Sequence, residues 1–296
     1  VTPRLLWLSG VAPLEKLEEL QANGGLDVDP SLWRVSDGVG AHLNDHSIST
    51  ITFHSPEALH EADGAASQYE YLAGRTGLFA QYGPTGVGYL RCDDAVYCSP
   101  ASTHEDVEIF VGPAEAAADG GSLFSVNAML LAPSTEASFG LDANRHANVA
   151  AGEYGNLYMT APRDIRVMAS AIDRTIRALL AARPTLKVLR FGFNLDACAT
   201  VDGSCAAGEA PTMESIEAWL TNGWDSPAGP SNNRKQTNHF AGTCALGTCA
   251  GAADGLVANT NNVHVADGSL LRHQLHAHPV LTVMALASEV GTRLIR

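Results

Sequence analysis

The sequence is short of cations. Its 296 residues hold 18 Lys and Arg against 32 Asp and Glu, a formal charge of −14, and nucleic acids and anionic membranes both reward the clustered positive charge that is missing here. Long apolar runs are missing too: none approaches the ~20 residues that span a bilayer, and the first residues lack the basic-then-apolar order of a signal peptide. Neither nucleic acid nor membrane is therefore expected as a partner, and the chain reads as soluble. There is no C-x-x-C pair, and no second close cysteine pair stands near any other, which argues against zinc. No internal repeat occurs, which removes solenoids and propellers.

What is present suits a globular fold. An apolar content of 46% over this length is enough for a sizeable core in one or two domains. The six cysteines fall into three sequence-local pairs, Cys92 with Cys98, Cys198 with Cys205 and Cys244 with Cys249. Three hairpin-scale disulfides are the natural reading, and they imply an oxidising compartment, so a secreted or luminal protein is expected. No Asn-x-Ser/Thr sequon accompanies them. Six free thiols in a cytosolic protein are the alternative, since connectivity is invisible in sequence.

Three zones differ in texture. Residues 1–50 open with "TPRLLWLSG", an apolar helical face ending in a Gly turn, continue through "APLEKLEEL" with helical spacing, and close on "VSDGVGAHLNDH". Residues 51–235 mix β-branched and aromatic runs, "ISTITF", "DVEIFV" and "TLKVLRFGF", with one strong helix predicted over 164–182. There Ile165, Met168, Ile172, Ile176, Leu179 and Leu180 share a face, Asp164 is the expected N-cap, and Pro184 stops continuation. A second helix is predicted over 213–220, followed by the turn-rich loop "DSPAGPSNNRKQ". Helices and strands intermixed in this way give a mixed α/β (α+β) fold class.

Residues 236–296 carry the chemistry. "NHFAGTCALG" sets His239 beside Asn238 and runs into a Gly, Thr and Cys loop built for close backbone contact. "VHVADGSLLRHQLHAHPVLTVMALASE" reads as a strand, an Asp-Gly turn, a loop and a helix starting at Pro279, which places His278 at or next to the N-cap. The positive end of that helix disfavours an imidazolium and favours an anion or an anionic ring. Two imidazoles on loops beside exposed N–H groups suit removal of a proton and stabilisation of a developing charge. His273, His276 and His278 in "RHQLHAHP" offer a metal cluster only weakly, because no carboxylate or Cys sits at ligand spacing among them.

The order "NHFAGT", "VHVADGSLL", "HPVLTVMALASE" resembles the carboxy-terminal signature of the glucose-methanol-choline (GMC) flavin oxidoreductases. "TPRLLWLSGVAP" resembles that family's "TP-x-LL-x-x-SGIGP", and "VGAHLNDH" its "VG-x-NL-x-DH". The middle of the chain matches only in general layout. The resemblance implies residues 1–50 and 236–296 as parts of an FAD-binding domain, and residues 51–235 as a substrate-binding domain with a mostly antiparallel sheet flanked by helices. It implies an alcohol or sugar hydroxyl oxidised by hydride transfer to flavin N5, with His239 as the base and His278 as its partner. Asp267 and Gly268 map onto the turn that approaches the ribityl and phosphate chain of FAD, Pro279 and Val280 onto the helix start facing the pyrimidine edge, and Asn238 onto the cofactor side of the base. Asn44, Asp45 and His46 match a segment close to the cofactor and are expected to pack rather than react.

One departure from the family stands out. A member opens with a strand, G-x-G-x-x-G and a helix that hold the ADP half of FAD, and this sequence has none. "GPTGVGYL", residues 83–90, has the wrong spacing and no following helical pattern. The missing nucleotide site is expected on a companion chain, which makes the protein a heterodimer. Two other functions stay open beside the oxidase or dehydrogenase: a lyase of the same fold, resembling the hydroxynitrile lyases, and a non-enzymatic protein that keeps the fold for assembly. The substrate itself, sugar, aromatic or aliphatic alcohol, is not legible.

Overall fold

The computed structural model of the chain describes residues 1–59, 72–74, 86–93, 96–98, 103–141, 157–191, 195–196, 205–222 and 235–295. It divides into two compact units, one made of Val1–Ser47, Leu131–Ala161 and Gln236–Arg296, the other of Ile48–Leu130 and Pro162–Lys235. Residues 131–161, which texture alone left in the middle zone, fall with the two ends of the chain.

In the first unit, helix α1 (Thr2–Leu8) takes Pro3 in its first turn, where no backbone donor is lost, and buries Leu6 and Trp7. Trp7 meets Phe139 edge-on with ring centroids 5.2 Å apart, and its Nε1 donates to the carbonyl of Val39 at 3.2 Å. Strand β1 (Val11–Ala12) pairs in parallel with β2 (Arg34–Val35). Between them α2 (Leu14–Ala22) buries Leu17 and Leu20. The chain's last helix also belongs to this unit.

The second unit is built on an antiparallel sheet. Its strands are β3 (Ser47–Ser55), β4 (Gly86–Leu90), β5 (Val107–Val111), β6 (Glu115–Ala116), β7 (Ser122–Leu130), β8 (Lys187–Phe191) and β9 (Leu195–Asp196), in the order β4-β5-β7-β3-β8-β9 with β6 also on β7. The three apolar runs predicted as strands supply β3, β5 and β8. Along β7 burial alternates through Phe124, Val126 and Ala128, the period-2 pattern of a strand with one face in the core. Phe124 stacks on Phe53 of β3 at 5.3 Å. "GPTGVGYL" yields β4, an exposed strand paired with β5, with residues 83–85 outside the described residues.

Helix α3 (Pro162–Ala182) packs against β7 and β5, and α4 (Met213–Asn222) against α3. Val167, Met168, Ile172, Ile176 and Leu180 are buried on α3, each such side chain worth ~1.5–3 kcal/mol of transfer free energy. The helix begins two residues before the expected cap: proline tolerated in the first turn lets it start at Pro162, so Asp164 lies fully buried inside that turn. The loop predicted over residues 225–236 and His146 fall largely or wholly outside the described residues.

Two expectations for the third zone change. "VHV" forms no strand, only an isolated bridge between Leu256 and His264. The last helix, α5, runs Val280–Ile295; the carbonyl of Pro279 accepts from the N–H of Val283 at 2.9 Å, so Pro279 is itself the N-cap and His278 precedes it.

Candidate active site

The site grows from two short stretches that lie side by side. Leu43 bridges to Ala137 and Asn44 to Ala241, with N–H to carbonyl distances of 2.7–3.1 Å across the pairs. His42 takes a left-handed backbone, φ 58°, and turns its carbonyl toward "NHFAGT". Gly242 has φ 85°, and a Cβ there would overlap the His42 carbonyl oxygen and stand 2.6 Å from Asn44 Nδ2. Only glycine meets both demands, which gives the glycine of this motif a physical reason.

Asp45 is the hub. It is fully buried; Oδ1 accepts from the backbone N–H of His239 at 2.9 Å and from Thr237 Oγ1 at 2.7 Å. Oδ2 accepts from Tyr158 Oη at 2.7 Å and from the N–H of Thr237 at 3.1 Å. Burial pushes its carboxyl above the ordinary range, and the four donors pull it part of the way back. Its carboxylate ties the backbone of His239 to Thr237 and Tyr158.

Three imidazoles meet beside it. His46 Nδ1 lies 2.9 Å from His239 Nδ1, the rings edge-to-face with centroids 5.1 Å apart, and His278 stands edge-on to His239 at 5.0 Å. Full burial drives His46 down to about 4, with His239 and His278 as lesser contributors. His239, half-buried, is lowered by burial first and by His278 second, against an opposing pull from Asp45. His278 is exposed. Both predicted histidines are thus brought together. His46, expected only to pack, touches one of them.

The loop before His278 locks this arrangement. Gln274 Nε2 donates to the carbonyls of His239 at 2.6 Å and Asn44 at 3.2 Å. Asn44 Nδ2 donates to the carbonyls of His42 and Arg272, and Arg272 Nη1 meets Glu136 Oε1 at 2.5 Å while His42 Nδ1 lies 2.9 Å from Glu136 Oε2. Sequence reasoning missed Gln274 and Glu136: Gln274 acts on main-chain carbonyls and Glu136 on side chains distant in sequence, and neither leaves a local motif. Among the described residues no three His, Cys, Asp or Glu side chains gather as a metal site requires.

Asp267 accepts from the N–H and hydroxyl of Ser269, capping a single 3-10 turn, Gly268–Leu270. Its other oxygen accepts from the hydroxyl of Thr2, so the "TPRLL" and "VHVADGSLL" motifs touch. A Cβ on Gly268 would stand 3.1 Å from the carbonyl of Phe240. Asn238 is exposed with φ 63°. Pro279 is buried and Val280 exposed.

Residues 156–287 match the carboxy-terminal family model described as GMC oxidoreductase. Over those residues the chain is similar to the GMC oxidoreductases. No curated protein matches it. Among solved structures, a formate oxidase variant from Aspergillus oryzae is similar at 18% identity and TM-score 0.71, covering 98% of this chain and 52% of that one. A fungal aryl-alcohol oxidase matches at 17% and 0.65 with the same two coverages, and so does an FAD-dependent oxidoreductase from Chaetomium thermophilum. At these identities the likeness is one of fold. The chain spans about half the length of the structures it matches.

FAD is the cofactor of the GMC family, and the described residues fit its ring half. The first turn of α5 carries N–H groups without an intrahelical partner. Beside it Val280, Leu281 and Met284 are 60%, 79% and 63% exposed, an apolar surface suited to a flat ring. Two buried acceptors near His239, Asn44 Oδ1 and Gln274 Oε1, have no hydrogen-bond partner. The adenosine half finds no such cradle among the described residues, where the nearest glycine-rich element, β4, is a sheet strand.

Proposed function

We propose that the chain is the carboxy-terminal part of an FAD-dependent oxidase or dehydrogenase that acts on an alcohol or sugar hydroxyl. The observation that carries the reading is the edge-on pair of His239 and His278 at 5.0 Å, in a chain that matches the GMC family over the segment holding both. His239 is the base. Burial keeps its imidazole neutral, so a lone pair is available to take the hydroxyl proton, a step worth typically ~10²–10⁴ in rate. His278, exposed just before the N-cap of α5, hydrogen-bonds the substrate oxygen and holds the hydroxyl toward His239. Asp45 and Gln274, on the backbone N–H and carbonyl of His239, fix the base in place. Bound FAD supplies the acceptor for the hydride that leaves the carbinol carbon.

The ring would lie against His278, the first turn of α5 and its exposed apolar side chains, with Asp267, Gly268, Pro279, Val280 and Asn238 as the nearby backbone. The adenosine half would be held by a Gly-rich segment on a companion polypeptide, in an obligate interface above ~2,000 Å². Support for that partner comes from exposed Leu281 and Met284 on α5. A secreted location fits the bridges Cys92–Cys98 and Cys244–Cys249.

Stopped-flow reduction of the native holoprotein by an alcohol panel tests the chemistry. His239→Ala retains flavin and slows reduction by at least ~10²; an unchanged rate overturns the base assignment. His278→Asn loses less, and an equal or greater loss reverses the two roles. Native mass spectrometry tests the partner: this chain alone, monomeric and FAD-loaded, overturns the two-part reading.

A further inference from the structure

We infer that His46 is the positioning residue that fixes the tautomer of His239 and thereby decides which of its nitrogens meets the substrate. The inference rests on the reading of His239 as the base and adds what sets that base up.

Both ring nitrogens of His46 are engaged, and its side chain has no contact with solvent. Nε2 lies 2.9 Å from the carbonyl oxygen of Leu275. A carbonyl only accepts, so Nε2 must carry a hydrogen. On the other side, His46 Nδ1 faces His239 Nδ1 at 2.9 Å, and one of these two atoms must donate while the other accepts. A buried imidazolium with no carboxylate on either nitrogen is costly, and the nearest carboxylate, Asp45, has both oxygens occupied by Thr237, Tyr158 and the N–H of His239. His46 is therefore neutral, its one hydrogen is on Nε2, and its Nδ1 is a bare acceptor. His239 must then donate from Nδ1, which leaves its Nε2 bare and directed away from His46.

That bare Nε2 is the atom able to take the substrate proton. When it does, His239 becomes an imidazolium whose Nδ1–H still donates to His46, now as a charge-assisted and stronger bond. A neutral imidazole in this place orients the base and, through that stronger bond, favours its protonated form without adding negative charge beside it. The titratable groups that face His239 are His46 on Nδ1, His278 edge-on to the ring, and Asp45 at the backbone N–H. Leu275 and Gln274, adjacent in one loop, hold His46 by its carbonyl contact and His239 by its own carbonyl, so one loop sets both rings.

Long-range ¹⁵N–¹H correlation spectra of the native holoprotein labelled in histidine test this, with His239 assigned from a His239→Gln variant. The expected pattern is Nδ1–H for His239 and Nε2–H for His46; Nε2–H at His239 in the wild-type protein overturns the inference without any further variant. His46→Leu removes the acceptor, so His239 should show mixed tautomers and flavin reduction should slow at least ~10-fold, with KM little changed. His46→Asn, whose Oδ1 stands where Nδ1 stood, should restore the single tautomer and most of the rate. An unaltered His239 pattern in His46→Leu overturns the positioning role alone. A His239→Ala enzyme at full rate, with the wild-type tautomers intact, instead overturns the base assignment and the relay's catalytic meaning with it.

Discussion

The backbone N–H of His239 donates to Oδ1 of Asp45 at 2.9 Å, so two consecutive residues hold one histidine: Asp45 by its main chain and His46 by its ring. Four donors converge on a carboxylate that has no exposure to solvent. Asp45→Asn presents an amide to some of those donors and should cost roughly 2–4 kcal/mol. Tyr158→Phe removes one donor and should cost about 1 kcal/mol. Chemical denaturation of the two variants checks the ratio, and equal losses would show that Asp45 is not the centre of this cluster.

Stability should fall on the acid side because of the buried imidazole. His46 is held at about 4 in the fold, below its ordinary 6.5, so the unfolded chain binds the proton more readily. A depressed group contributes stability above the unfolded value and loses it as pH falls toward the folded one. Between pH ~6.5 and ~4 the wild-type protein should therefore lose on the order of 3 kcal/mol from this residue. His46→Asn, which cannot titrate, should show a shallower slope in unfolding free energy against pH over that window. Identical slopes would mean that His46 is charged in the fold. Activity should persist into mildly acidic solution for a related reason: His239, lowered by burial and by His278, stays unprotonated below the usual histidine range, which a pH profile of flavin reduction reads directly.

The cysteines should show no free thiol in the native protein. Cys92–Cys98 and Cys244–Cys249 are bridged, with Cα atoms 5.9 and 4.7 Å apart. Cys205 is disulfide-bonded as well, and Cys198, its expected partner, lies outside the described residues. Loops this short give ~2 kcal/mol each by chain entropy. Cys244–Cys249 follows His239 by only a few residues, and Gly38 packs so closely that a Cβ there would stand 2.8 Å from the N of Cys249. Cys244→Ser should therefore slow flavin reduction more than Cys92→Ser does. Equal effects, or native labelling of two or more cysteines, would contradict this.

Periodicity made the elements legible, and chemistry made part of the site legible. Apolar spacing placed α1, α2, α3 and α4 nearly to the residue, because each buries one stripe against a neighbour. His239 and His278 were readable because their motifs are stretches of local sequence. Asp164 misled because a short acidic residue near a helix start looks like a cap in sequence, and only the tolerance for proline at Pro162 decides otherwise. The placement of residues 131–161 with the chain ends depends on long-range bridges such as Leu43 with Ala137, which leave no periodic trace. The hold of Gln274 on two carbonyls and that of His46 on one have no sequence signature either, since any residue offers the same main-chain oxygen.

The bond from Thr2 to Asp267 has a consequence for biosynthesis. The unit that holds all three histidines is assembled from segments at both ends of the chain and one in the middle, so its three imidazoles cannot meet before the ribosome has passed residue 278. The helix that begins with Thr2 must wait for the aspartate that ties it down, 265 residues further along the chain. During that interval its buried face, Leu6 and Trp7, is open to chaperones, while the antiparallel sheet needs only residues made earlier. The three imidazoles thus come together later in synthesis than the sheet, and a chain released early carries the sheet without that cluster.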